Sequence, residues 1–212
     1  CFVLITHLFH NSKTEYRKVC DTQYRKFVVL IIISSIPTAI LGFAMKDRIE
    51  SFGNSVLMPG ICLIITGLLL LICNGLPNGK KNLDTTGYQE AFAVGVSQGI
   101  ATLPGLSRSG TTITVCRFLG LEQEFAVKYS FLMSIPAVLG AAILECKDLN
   151  GTNITSTEVS YYVVGMIVAA IVGFMCIKTM LLIVRRKKFT YFAFYCIIAG
   201  IIAVSYYIST IY

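Results

Sequence analysis

YQEAFAVGVSQGIATLPGLSRSGTTITVCRFLG, Tyr88 to Gly120, is the stretch whose reading decides how this chain is built. Its two apolar halves run to only about a dozen residues each, whereas a helix needs about 20 to cross roughly 30 Å of hydrocarbon. Between them lies a polar tip, Ser97 to Thr112, in which Pro104 and Gly105 interrupt the first half. Two full crossings do not fit. A re-entrant hairpin does: two half-helices that leave and return on one side, with irregular backbone at membrane depth. Such backbone is tolerated only where protein or a wet cavity surrounds it, which makes the tip a candidate site before its residues are read.

The flanking sequence supplies the membrane. Of the 212 residues, 55% are hydrophobic and 14% charged, with a mean hydropathy of +0.73; a soluble domain carries about a quarter charged residues. Runs long enough to span occur at Phe27–Met45, Val56–Cys73, Phe125–Leu144, Val159–Val184 and Phe189–Ser209. Cys1–Phe9 reads as the tail of a further membrane helix cut off upstream, and a polar, basic loop follows it through Lys26. Asn74–Gly87 is a loop of Gly, Pro, Asn and Lys turn chemistry, and a short turn holds Lys46, Asp47, Arg48 and Glu50. The expected architecture is therefore all-α: one polytopic membrane domain over residues 1–212, its N-terminal half-repeat incomplete, with 88–120 as the re-entrant hairpin that carries the site.

The net charge of +7 does not point to nucleic acid. The basic residues cluster in short loops between apolar runs, at Lys13, Arg17, Lys18, Arg25 and Lys26 and again at Arg185–Lys188. They follow the positive-inside pattern. Loops 10–26 and 184–188 are then cytoplasmic, and loop 145–157, with Glu145 and Asp148, is external. Counting crossings puts loop 74–87 on the cytoplasmic side as well. The eight cysteines are scattered through apolar runs, with no C-x-x-C pair, and behave as small hydrophobes rather than as a disulfide or metal framework. One internal echo stands out. SIPTAILG at Ser35–Gly42 returns as SIPAVLG at Ser134–Gly140, which suggests a duplication, although the crossing count alone has both copies running outward.

The tip has the chemistry of a phosphate cradle. Ser107, Ser109, Thr111 and Thr112 supply hydroxyls, Gly105 and Gly110 free the backbone, and Arg108 supplies a fixed charge. An arginine at mid-bilayer depth costs at least about 2.5–3.5 kcal/mol on insertion scales, so it demands a partner. Its planar fork of donors matches phosphate oxygens, and the free amides at the start of the second half-helix complete an anion site. The plainer alternative is an Arg108 paired with Glu90, or with a backbone carbonyl, to lock the hairpin. The acid-phosphatase type of membrane lipid phosphatase also uses Ser and Arg, but it needs a His soon after the Arg, and none follows His10.

GVSQGIATLPGLSRSGTT, together with YSFLMSIPAVLGA at Tyr129–Ala141, resembles the BacA-type undecaprenyl-diphosphatase family of bacteria. Its P-G-x-S-R-S-x-x-T signature is met by Pro104, Gly105, Ser107, Arg108, Ser109 and Thr112, and the likeness runs from Cys1 to the C-terminus. The resemblance implies hydrolysis of undecaprenyl diphosphate to the monophosphate and phosphate. That reaction recycles the lipid carrier of cell-wall synthesis and can confer bacitracin resistance. It further implies an inverted repeat of helices with two re-entrant hairpins meeting at the midplane, in the bacterial inner membrane, opening to the outer face. Arg108, Ser107 and Thr112 would be the catalytic residues, with Gly105, Ser109, Gly110 and Thr111 binding the polyprenyl diphosphate substrate.

The family's other signature, Q-G-x-x-E-F-L-P followed by S-S-S-G-H, carries the carboxylates thought to hold a divalent cation, Mg²⁺ or Ca²⁺. It also carries the Ser and His proposed for nucleophilic and acid/base roles. By this reading that half-site belongs upstream of Cys1, and the 212 residues alone are expected to be inactive. No metal ligand is assigned on this chain. Gln98 and Gly99 echo the Q-G, but Ala101 and Thr102 stand where the acid would fall. His7 and His10 read as helix-end residues, Glu90 as an interfacial residue at a half-helix start, Lys178 as a snorkelling side chain, and the sequon at Asn153–Thr155 as without meaning in a bacterium. A transporter or flippase that binds a phosphorylated lipid in the same cradle is the second reading. No oligomeric state follows from the sequence.

Overall fold

The computed structural model describes residues 14–46, 52, 55–148, 156–185 and 189–211. Helices account for nearly all of them: α1 (Thr14–Ala44), α2 (Leu57–Gly75), α3 (Tyr88–Ile100), α4 (Arg108–Phe118), α5 (Gln123–Asp148), α6 (Ser156–Arg185) and α7 (Phe189–Ile211). Five of them are long and apolar enough to cross a membrane, over Gln23–Ala44, Leu57–Gly75, Gln123–Glu145, Val159–Thr179 and Thr190–Thr210. Each falls on an expected span. The protein is an all-α, multi-pass membrane protein, and its outer surface of exposed Ile, Val and Phe is what a lipid-facing wall requires.

One boundary differs. The basic loop expected through Lys26 is helical from Thr14 onward. Residues 14–26 contain neither Gly nor Pro to stop a helix, so α1 continues past its apolar stretch. Its polar end is anchored in turn: Gln23 Nε2 donates to Asp84 Oδ2 at 3.0 Å, and Lys26 Nζ to the Asp84 carbonyl at 2.5 Å. The turn at residues 47–51, the Asn153–Thr155 sequon, His7, His10 and most of the basic loop 184–188 lie outside the described residues.

Long-range bonds sort the helix ends onto two sides. The start of α1 meets the loop after α2 through Asp84, and Asn74 at the end of α2 donates to Thr190 Oγ1 at the start of α7, 2.9 Å away. Both ends of the α3–α4 hairpin come to that same side. The Lys81 amide donates to the Gly120 carbonyl at 3.0 Å, and the Glu122 amide donates back to the Lys81 carbonyl at 2.8 Å. Gly120 makes the exit possible. With φ +84° it closes α4 in a Schellman turn, its own amide on the Arg117 carbonyl and the Leu121 amide on that of Cys116.

The hairpin is wedged between two pairs of crossing helices. On one flank α1 lies against α3. Gly95 admits this contact, because a Cβ there would come within 2.2 Å of the Ser34 carbonyl oxygen, and Thr38 Oγ1 donates to the Gly95 carbonyl at 2.8 Å. On the other flank α4 packs on α5, which reaches back to α1 through Tyr129, whose hydroxyl sits 2.9 Å from the Leu30 carbonyl. Leu30, Ala91, Val94, Cys116, Ala126, Tyr129 and Met133 form the core among these four elements. The echoed Ser-Ile-Pro segments fall inside α1 and α5, at Pro37 and Pro136, so the two copies brace opposite sides of one hairpin. Helices α2 and α7 form a tight pair through Gly60, Gly67 and Gly200. The described part of α6 is exposed along nearly its whole length.

Candidate functional site

One residue at the middle of α2 bonds the turn of the polar tip. Thr66 is the central residue of the 19-residue helix Leu57–Gly75, about 14 Å of helix from the end where both feet of the hairpin sit. Buried to 1% exposure, it donates from Oγ1 to the Gly105 carbonyl at 3.3 Å and accepts from the Ser107 amide at 3.0 Å. The chain between those two bonds turns at Gly105, whose φ of +88° suits glycine, and a Cβ there would come within 2.4 Å of the Pro59 carbonyl oxygen. Neither half-helix could cross on its own. The 13 residues of α3 and 11 of α4 rise about 20 Å and about 17 Å.

Helix α4 begins at the tip with its N-terminal amides turned to the site. Ser107 is its N-cap, and Oγ accepts from the Gly110 amide at 3.1 Å. That leaves the amides of Arg108 and Ser109 without partners among the described residues, at the positive end of the helix dipole. The half-buried Arg108 side chain likewise meets no carboxylate and no carbonyl among the described residues. Neither form of the locking alternative is met among the described residues. Glu90 sits at the other end of the hairpin, paired with Lys81 Nζ at 2.7 Å and capping the Gly87 amide at 3.0 Å. The Lys81 bond, with the amide bonds at the helix start, holds its carboxyl below the ordinary carboxylate range. Glu90 stands at the start of the half-helix, in its first turn.

The expected site residues divide into two groups. Gly105, Ser107, Arg108, Ser109 and Gly110 come together at the tip. Thr112 is set apart: it is fully buried, and its hydroxyl is occupied by the Arg108 carbonyl at 2.9 Å and by Ser130 Oγ of α5 at 2.5 Å. Its place is behind the cradle, tying the first turn of α4 to a crossing helix. Thr111 is 7% exposed with Oγ1 unpartnered. Two residues that sequence reasoning passed over belong to the same assembly. Thr66 carries the one hydroxyl in the apolar run of α2, a signal that was there to be weighed, and Ser130 lies four residues before the echoed Ser134. Among the described residues no cluster of His, Cys, Asp or Glu is suited to a metal ion. The tip offers hydroxyls, amides and a guanidinium, and the hairpin's carboxylate is taken by Lys81, so this donor set does not fit a divalent cation.

Comparison with known proteins leads to the same place. Residues 2–202 match the family model described as bacitracin resistance protein BacA. The chain is 38% identical over 184 residues to the undecaprenyl-diphosphatase of Alkaliphilus metalliredigens, which covers 87% of this chain and 67% of that protein. It is 39% identical over 191 residues to the undecaprenyl-diphosphatase of Carboxydothermus hydrogenoformans, with coverage of 89% and 73%. With that of Halothermothrix orenii the identity is 39% over 180 residues, covering 85% and 70%.

Proposed function

The chain belongs to the bacitracin resistance protein BacA family, and from that premise we infer that it hydrolyses undecaprenyl diphosphate to undecaprenyl phosphate and phosphate. The relatives it matches carry that activity in their names. The observation that carries the reading on this chain is Arg108, a guanidinium with no partner among the described residues, beside two helix-start amides equally without one, at the level of Thr66.

The chemistry follows from that arrangement. Water supplies the oxygen that bonds to the terminal phosphorus, the P–O–P bridge breaks, and the bridging oxygen leaves on the lipid phosphate. Charge on the non-bridging oxygens must be met throughout by fixed donors. Arg108 offers the paired N–H groups, the amides of Arg108 and Ser109 add the helix dipole, and Ser109 supplies a hydroxyl with no other bond among the described residues. Ser107 shapes the turn while its Oγ caps Gly110. Thr112 keeps the turn rigid through Ser130. The divalent cation implied by the resemblance finds no carboxylate ligand at this tip, and no step is routed through it.

Re-entrance of the α3–α4 hairpin is supported by its joined feet and by its turn, which bonds Thr66 within a spanning helix instead of passing beyond that helix. A site facing the outer side of an inner membrane is supported by Gly105, which lies against Pro59, toward the end of α2 away from loop 76–87. The decisive experiment is phosphate release from undecaprenyl diphosphate by the full-length protein and its Arg108→Lys variant. An ammonium cannot reproduce a two-pronged contact, so most of the turnover should go. Normal turnover by a well-folded Arg108→Lys protein would remove Arg108 from the site.

A further inference from the structure

We propose that Gln98, with Thr111, forms the inner wall of the phosphate site, where its amide binds the phosphoryl group that Arg108 holds from outside. The inference rests on the hydrolase reading above and adds a residue to it. Gln98 is 1% exposed, yet among the described residues neither Nε2 nor Oε1 has a hydrogen-bond partner, and Thr111 Oγ1 is buried without one as well. Buried polar side chains are nearly always satisfied, so three such atoms on the facing arms of one hairpin call for a polar guest.

Their placement says where the guest sits. Gln98 lies two residues before the end of α3 and Thr111 three residues after the start of α4. In an antiparallel hairpin that puts them within about 5 Å of the same level, whether counted from the tip or from the feet. Gln98 continues the Ala91–Val94 stripe that faces α4 and α5 in the apolar core, as Thr112 continues the stripe of Cys116. Near this level the buried core turns polar, with Gln98 on α3, Thr111 and Thr112 on α4 and Ser130 on α5. Thr112 and Ser130 satisfy each other at 2.5 Å; Gln98 and Thr111 do not. Arg108 shares the α4 face of Thr111, three residues before it. A phosphoryl group fits this set: Nε2–H and the Thr111 hydroxyl donate to its non-bridging oxygens, while Oε1 accepts from the P–OH of the monoprotonated form. A dry apolar tail fits none of these atoms.

The test uses the full-length protein in detergent, with inorganic phosphate as the probe and Gln98→Met and Thr111→Val as shape-preserving variants. Phosphate affinity, read from the thermal shift and from product inhibition, should weaken about tenfold or more in each, the loss expected for a hydrogen bond to a charged group. The KM for undecaprenyl diphosphate should rise in step. The melting temperature without phosphate should hold or rise, because unpartnered buried atoms have been removed. Should Gln98→Met not fold, Gln98→Glu replaces it, and its phosphate affinity should fall further at pH 8 than at pH 5. Phosphate affinity within twofold of the parent in the folded variants would overturn the proposal. If the parent binds phosphate, the variants bind it weakly, and no undecaprenyl diphosphate is hydrolysed, then the assigned reaction fails and this wall stands.

Discussion

Thr66→Val isolates the side-chain contact by which α2 bonds the turn at the tip. The change preserves shape and deletes the hydroxyl that accepts from the Ser107 amide at 3.0 Å and donates to the Gly105 carbonyl at 3.3 Å. Orphaning the Ser107 amide costs about 1–3 kcal/mol, since little water is at hand to replace the bond at that depth. The Gly105 bond lies near the limit of good geometry and adds less. Against this, a methyl group in place of a buried hydroxyl returns roughly 0.8 kcal/mol of transfer free energy. The net destabilisation is about 1–2 kcal/mol, a factor of roughly 5–30 in the folding equilibrium. The loss of turnover should be larger, because a displacement of about 1 Å at a reacting centre can cost about a hundredfold. The assay is phosphate release per folded molecule alongside the melting temperature in the same detergent, with Thr66→Ser as the control that keeps both bonds. Turnover by Thr66→Val within twofold of the parent would refute the clamp, and so would a Thr66→Ser protein as impaired as the valine variant.

Other perturbations read other parts of the hairpin. Gly105→Ala must place a Cβ at φ +88° and 2.4 Å from the Pro59 carbonyl oxygen. The left-handed conformation alone costs about 1–2 kcal/mol, so a clear fall in melting temperature is expected, and an unchanged one would show that the turn is misplaced. Thr112→Val removes the Ser130 bond; stability should drop by about 1 kcal/mol with KM little changed, whereas a large rise in KM would return Thr112 to the substrate. The Lys81–Glu90 pair, with side chains 41% and 21% exposed, is worth at most about 1 kcal/mol. The lowered Glu90 pKa makes that contribution present above the ordinary carboxylate range and lost as pH falls through the folded value. Glu90→Gln should therefore melt below the parent at neutral pH and converge with it in acid; parallel curves would contradict the pair. For topology, a single cysteine at Asn150, which lies outside the described residues, should react with an impermeant thiol reagent from outside intact cells. One at the exposed Asn78 should not, and the reverse pattern would invert the orientation.

Much of this protein is legible without coordinates, because in a membrane the local sequence carries the strongest constraint. Twenty apolar residues must span and a dozen cannot, so the five crossing helices and the short hairpin at 88–120 follow from run length alone. The same holds for Pro104 and Gly105 as the break and for Arg108 as a charge in need of an anion. The helical reach of α1 back to Thr14 was not legible, since a polar run reads alike as loop or as the water-side end of a helix until Asp84 is there to receive Gln23 and Lys26. Tertiary structure also decided which hydroxyl does what. Ser107, Thr111 and Thr112 look interchangeable in the sequence. Only the approach of α2 and α5 assigns the Ser107 amide to Thr66, gives the Thr112 hydroxyl to Ser130, and leaves Thr111 with Gln98 facing an unfilled need. Those partners lie 41 and 18 positions away along the chain. A hydroxyl bonds to whatever packing brings within about 3 Å of it, and that choice is made in space rather than along the sequence.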